Sequence, residues 1–167
     1  MNVSLLRTNE GITAVYKQYV KTVYRIALMM LKYRTEAEDA TQTVFIKLMT
    51  TDKDFKSEEH LKAWLIVTTQ NVCKNVLKSG WHSKQVDYES IAEQTYIPDG
   101  SAKEIWGKII SLDDKYKLPI YLHYYEGYKT EEISEMLKIN HATVRTQLRT
   151  AREKLKQLLG EEASQYE

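Results

Sequence analysis

TEEISEMLKINHATVRTQLRTAREKLKQLL, from Thr130 to Leu159, holds two helical periods separated by a three-residue break. The first runs from about Thr130 to Leu137 and puts Ile133, Met136 and Leu137 on one face. The second runs from about His141 to Leu159. There Val144, Leu148, Ala151, Leu155 and Leu158 recur at steps of four and three residues, which is one apolar stripe on a helix. Lys138-Ile139-Asn140 is the turn. Off the stripe lie Thr143, Arg145, Gln147, Arg149 and Arg152, which are free to face outward. From Asn140 to Leu159 there are five basic residues (Arg145, Arg149, Arg152, Lys154, Lys156) against one acidic residue, Glu153. A short helix followed by a longer basic one is the layout of a DNA-binding helix-turn-helix. A packed helical hairpin with a solvated charged face has the same pattern.

Outward from this stretch the chain stays helical in character. Its 167 residues suffice for one domain or two small ones. Six glycines and two prolines give few breaks, and strand-like alternation is hard to find, so the fold class is all-α. Helix patterns cover about 11–31, with Val15, Tyr19, Val23, Ile26 and Met30 inward and Tyr16 widening the face. A second covers about 36–49, with Ala37, Ala40, Val44, Phe45, Ile46 and Leu48 apolar, after a Thr35–Glu38 capping box. A third covers about 57–78, capped by Ser57. Residues 79–100 have the weakest periodicity and several turn residues, which reads as an interdomain linker. Two further helices, about 101–111 and 117–125, precede the helix-turn-helix. Pro119 lies near the start of the second of these, Gly127 ends it, and Thr130 caps the next.

The net charge of +1 means that any nucleic-acid surface must come from segregated charge. The single cysteine, Cys73, excludes an internal disulfide and a multi-cysteine zinc site and fits a reducing cytoplasm. The N-terminus lacks the pattern of a secretory signal, and no apolar run is long enough to span a bilayer. No nucleophile with a nearby base, metal-ligand spacing or glycine-rich phosphate loop stands out, so the expectation is a non-enzyme without cofactors.

Three stretches resemble one family. Ala37-Glu38-Asp39-Ala40-Thr41-Gln42-Thr43-Val44-Phe45-Ile46-Lys47-Leu48 is similar to the "AEDLVQETFLKA" helix of bacterial sigma factors. Leu61-Lys62-Ala63-Trp64-Leu65-Ile66-Val67-Thr68-Thr69-Gln70-Asn71-Val72-Cys73-Lys74-Asn75 resembles their "AWLYTIARNLAKD" helix. Leu118-Pro119, Glu126-Gly127 and the helix-turn-helix resemble their "LP…FEG…EEIAEILGISEGTVKSRLHRARKKL" end. The order and the two-domain length are those of the extracytoplasmic-function (ECF) type. Thr43 stands where the family usually has glutamate, and His141-Ala142 where a small residue and glycine usually open the recognition helix.

The resemblance implies an ECF sigma factor that binds core RNA polymerase, recognises the −35 and −10 promoter elements and promotes transcription initiation. It implies a polymerase- and −10-binding domain over 1–82, a linker over 83–100 and a −35-binding helix-turn-helix domain over 101–167. Glu38, Asp39, Gln42 and Phe45 would meet the β′ clamp helices, although Glu38 also reads as a cap and Phe45 as core. The loop Asp52, Lys53, Asp54, Phe55 and Lys56, with Asn71, Lys74, Asn75 and Lys78, would handle the −10 element, where a base is read after extrusion from the stack. Trp64 on its apolar stripe reads as core, with a stacking wedge as the alternative; Trp81 and His82 read as linker packing, with DNA contact as theirs. His141, Thr143, Arg145, Gln147, Arg149 and Arg152 would meet the −35 element, with forked arginine donors for guanine or phosphate and the glutamine for adenine. Partners are then core polymerase through its β′ and β subunits, promoter DNA, and an anti-sigma factor of the often membrane-anchored kind, with no membrane insertion of the chain itself. The rival is a helix-turn-helix regulator acting without polymerase.

Overall fold

The computed structural model describes residues 6–79 and 100–163. These residues form helices and connecting turns, with no strand among them. The chain divides into two compact units, Met1–Tyr96 and Ile97–Glu167.

In the first unit, α1 (Asn9–Leu31) starts at Thr8, whose Oγ1 accepts from the Gly11 N–H at 3.0 Å. It ends at Lys32, which sits in the left-handed region (φ 62°) and donates its N–H to the Leu28 carbonyl at 2.8 Å. That left-handed residue lets α2 (Arg34–Thr50) begin almost at once. The expected Thr35–Glu38 capping box is not formed. The N-cap is Tyr33, without a side-chain bond, and Thr35 is already helical. Glu38 instead pairs one turn back with Arg34, Oε1 to Nε 3.0 Å, an exposed i,i+4 contact. Ser57 does cap α3 (Glu58–Lys78), its Oγ accepting from the His60 N–H at 3.1 Å. The three helices pack pairwise. Val15, Tyr19, Val23, Ile26 and Met30 of α1 are buried as their spacing predicts, with Ala27, Leu28, Met29 and Leu31, so α1 buries more than one side. Tyr16 and Ile46 are exposed instead.

In the second unit, α4 (Gly100–Ser111), α5 (Asp114–Tyr124), α6 (Thr130–Leu137) and α7 (His141–Ala163) follow one another. α5 starts a turn earlier than its apolar pattern suggests. Asp114 supplies a carboxylate in the first turn, and Lys117, buried, reaches back to it at 3.1 Å. Pro119 therefore lies inside the helix rather than near its start. Gly127 has a positive φ (78°), which suits a residue without Cβ, in the turn after α5. The N-cap of α6 is Lys129, without a side-chain bond, so Thr130 is the first helical residue and not the cap. Ile133, Val144, Leu148 and Ala151 are buried at the α6–α7 joint, and α7 also packs on α5 and α4. The turn is closed by Lys138 in the left-handed region (φ 55°) and by Asn140, whose Oδ1 accepts from the Ala142 N–H at 2.8 Å. The expected linker, with Trp81 and His82 before it, lies outside the described residues, apart from Gly100, which opens α4.

Candidate functional site

The outward face of α2 carries Glu38, Asp39 and Gln42, all exposed. One helical stripe continues from Asp39 and Gln42 to Ile46, 58% exposed, and Met49, 63% exposed. The face is thus acidic at its N-terminal end and apolar at its C-terminal end. Phe45 departs from its expected docking role: it is only 5% exposed, and its ring meets Tyr16 edge-on at 4.9 Å. Ile46, about 100° further round the helix than Phe45, falls beyond the buried side and faces out. Ile46 and Met49 were missed as surface candidates because apolar residues at helical spacing read as core.

The loop after α2 exposes Asp52, Lys53, Asp54 and Lys56. Phe55 does not join them. It is 3% exposed, with its ring edge-on to His60 and to Trp64, both at 5.5 Å. The Lys56 N–H donates to His60 Nδ1 at 3.2 Å, and the Lys53 N–H to Thr51 Oγ1 at 3.3 Å. Phe55 is therefore the loop's anchor rather than an open contact. Beside it lies a groove of about 370 Å³ lined by Lys47, Thr50, Thr51, Trp64, Thr68, Asn71, Val72 and Asn75. Asn71 and Asn75, one turn apart and exposed, bring amide donors and acceptors to this groove. Trp64, half-buried, forms part of its wall. Lys74 and Lys78 are exposed on the same helix. Lys47, Thr50, Thr51 and Thr68 join the site only through the packing of α2 on α3. Cys73, behind the groove residues on α3, is buried, and burial pushes its thiol up to about 12.

On α7 the outward stripe runs through Ala142, Arg145, Thr146, Arg149, Glu153 and Lys156. Thr143 is exposed at its edge. Gln147 leaves the stripe. It is half-buried with Oε1 shielded and unpartnered, whereas pairing with adenine uses both amide atoms. Thr146 was missed, and its position one residue from Arg145 on the exposed arc was the available signal. Arg152 Nη1 donates to Tyr124 Oη at 2.9 Å, which fixes that guanidinium against α5. His141 turns its Nε2 to Thr130 Oγ1, at 2.8 Å, instead of leaving it open to an outside group. His123, Thr130, Ala142, Arg145, Thr146, Leu148, Arg149 and Arg152 line a cleft of about 440 Å³ with no acidic residue in its wall, which suits a polyanion. His123 Nδ1 donates to the Tyr128 carbonyl at 2.8 Å, since the carbonyl can only accept.

Among the described residues no group of three His, Cys, Asp or Glu side chains could hold a metal ion. No described helix is long and apolar enough to cross a membrane.

Comparison with known proteins places the chain in a family. The family model for sigma-70 region 2 matches residues 15–83, within the first unit, and that for sigma-70, region 4 matches residues 102–155, within the second. The chain is 26% identical over 156 residues to the ECF RNA polymerase sigma factor SigM of Bacillus subtilis, covering 88% of this chain and 94% of that one. It is 26% identical over 158 residues to the ECF RNA polymerase sigma factor SigW of the same organism, covering 84% of each. Against the RNA polymerase sigma factor CarQ of Myxococcus xanthus it is 22% identical over 156 residues, covering 88% of each. In fold it is similar to the sigma factor RpoE of Bartonella quintana, solved in complex with the anti-sigma factor NepR, with a TM-score of 0.66 and 17% identity over 89% of this chain and 96% of that one. With both sigma regions present in order, one on each compact unit, the chain belongs to the ECF-type RNA polymerase sigma factors.

Proposed function

We propose that this sigma factor docks on core RNA polymerase through the outward face of α2, holds the opened −10 element in the groove between α2 and α3, and reads the −35 duplex with α7. The observation that carries this is the separation of three exposed faces, each suited to one task. Asp39 and Gln42 lead a stripe that ends in Ile46 and Met49, an acidic-to-apolar surface suited to a basic helical partner such as the β′ clamp helices. The groove at Asn71, Asn75, Thr68 and Trp64 joins amide groups to an aromatic wall, the combination that receives an unstacked base, while Lys74 and Lys78 suit the phosphates. Arg145, Thr146 and Arg149 face the acid-free cleft, with Arg152 braced beside them.

On this reading the N-terminal unit serves polymerase and the −10 element, and the C-terminal unit serves the −35 element. The chain works in the cytoplasm and catalyses nothing itself; the polymerase makes the bonds. An anti-sigma factor, the kind of partner bound in the Bartonella relative's structure, is a natural regulator here too. A regulator acting on duplex DNA alone would leave the α2 stripe and the α3 groove without a role. The test is retention of core polymerase by tagged chain. Asp39→Lys is expected to abolish retention with the helical content unchanged. Undiminished retention would remove α2 from the polymerase interface.

A further inference from the structure

We propose that His141 is a positioning residue for −35 recognition, tying the first turn of α7 to the first turn of α6 through Thr130 and Glu131. The proposal rests on the reading of α7 as the helix that meets the −35 duplex.

His141 Nε2 lies 2.8 Å from Thr130 Oγ1 and 3.6 Å from Glu131 Oε1, and Thr130 Oγ1 lies 3.3 Å from Glu131 Oε2. The direction of these bonds follows from the groups. A carboxylate only accepts, so the single hydroxyl hydrogen of Thr130 goes to Glu131. The hydroxyl oxygen must then accept from His141, which carries its proton on Nε2. The result is a short polar chain, imidazole to hydroxyl to carboxylate, anchored where the amide ends of α6 favour negative charge. The Glu131 carboxyl is held below the usual glutamate range, first by its own backbone N–H and in part by His141.

Three features give the tie a mechanical role. Thr130 is not spent on capping α6, because the N-cap is Lys129. The turn's own bonds, such as Ser134 Oγ to the Ile139 carbonyl at 2.6 Å, hold the end of α6, whereas the His141–Thr130 contact links the start of α7 to the start of α6. Thr130 and Ala142 also line the same cleft as Arg145 and Arg149, so a shift of the first turn of α7 moves the arginine-bearing wall. A donor on the ring that faces Thr130 sets the helix angle; it does not touch the base.

The test uses the full chain with core polymerase and measures equilibrium binding to duplex containing the preferred −35 sequence and to a scrambled duplex. His141→Ala and Thr130→Val should each weaken specific binding about threefold to tenfold, the range of one lost hydrogen bond, with scrambled binding unchanged. The double variant should be no weaker than either single one, because both remove one link. His141→Gln, which keeps an amide donor, and Thr130→Ser, which keeps the hydroxyl, should stay within about twofold of the parent. These two carry the test if the alanine variant unfolds the unit. Multiplicative losses in the double variant, or loss in His141→Gln equal to that in His141→Ala, would overturn the proposal in favour of direct contact by the imidazole. Arg145→Ala separates the levels. If it loses −35 binding while His141→Ala does not, the tie fails and the recognition helix stands. If neither changes binding, the recognition helix fails and the tie with it.

Discussion

Replacing Phe55 by alanine separates an anchoring role from a DNA contact in the −10 loop. The side chain is 3% exposed and meets two rings edge-on, His60 and Trp64, at 5.5 Å each. Burying a phenylalanine contributes about 1.5–3 kcal/mol, and each favourable ring pair adds about 0.5–1.5 kcal/mol. Truncation of a buried phenylalanine costs about 3–5 kcal/mol, and a loop residue, whose surroundings can partly collapse, belongs near the lower end. At about 3 kcal/mol, native-state hydrogen exchange should show protection of the slowest α1–α3 amides falling about 100-fold, with α5–α7 unaffected. Hydrogen exchange suits the question because it reports each unit separately. In holoenzyme, affinity for single-stranded −10 DNA should fall with the loop's order, and Phe55→Leu should restore much of both. Unchanged protection together with lost −10 binding would refute the reasoning and make Phe55 a direct contact.

Lys138→Gly should stabilise the C-terminal unit by about 0.5–1 kcal/mol, because glycine relieves the left-handed strain at some entropic cost; scanning calorimetry should show the later or earlier of the two transitions shifted upward. Cys73 should resist thiol reagents until the N-terminal unit opens. Its thiol rises from 9.0 to about 12 in the fold, so between these values the native protein keeps a proton that the unfolded chain loses, and stability falls as pH rises through that window; urea titrations at graded alkaline pH check the sign. Arg145→Ala should lose about 1–3 kcal/mol of discrimination at one −35 position if the fork grips guanine, or lower the salt slope by about one if it grips phosphate; binding across a base-substituted series at several salt concentrations tells them apart.

The helices were legible because their buried positions repeat at three and four residues, as with Val144, Leu148 and Ala151. Their starts were less so. The Thr35–Glu38 capping pattern gave way to an earlier start at Arg34, which puts Thr35 inside the helix and leaves Glu38 paired one turn back. α5 begins at Asp114 because that carboxylate suits the helix N-terminus and receives the Lys117 ammonium, a pairing invisible to an apolar period. Outward-facing positions were legible where charge marks them, as at Asp39, Arg145 and Arg149, which are exposed. They were read poorly where an aromatic could turn either way. Phe45 and Phe55 both fold inward, onto Tyr16 and onto Trp64 and His60, contacts that depend on helices distant in sequence. His141 is the sharpest case, since its partner lies eleven residues back, on the helix before the turn.

The most direct measurement is in vitro transcription by core RNA polymerase, with and without this chain, from a library in which both promoter elements are randomised. Initiation that depends on the chain and enriches one −35 and one −10 sequence is the predicted result, with Arg145→Ala relaxing only the first and Asn71→Ala only the second. Polymerase that initiates no better with the chain than without it would contradict the assignment of α2, α3 and α7 to a shared task in initiation.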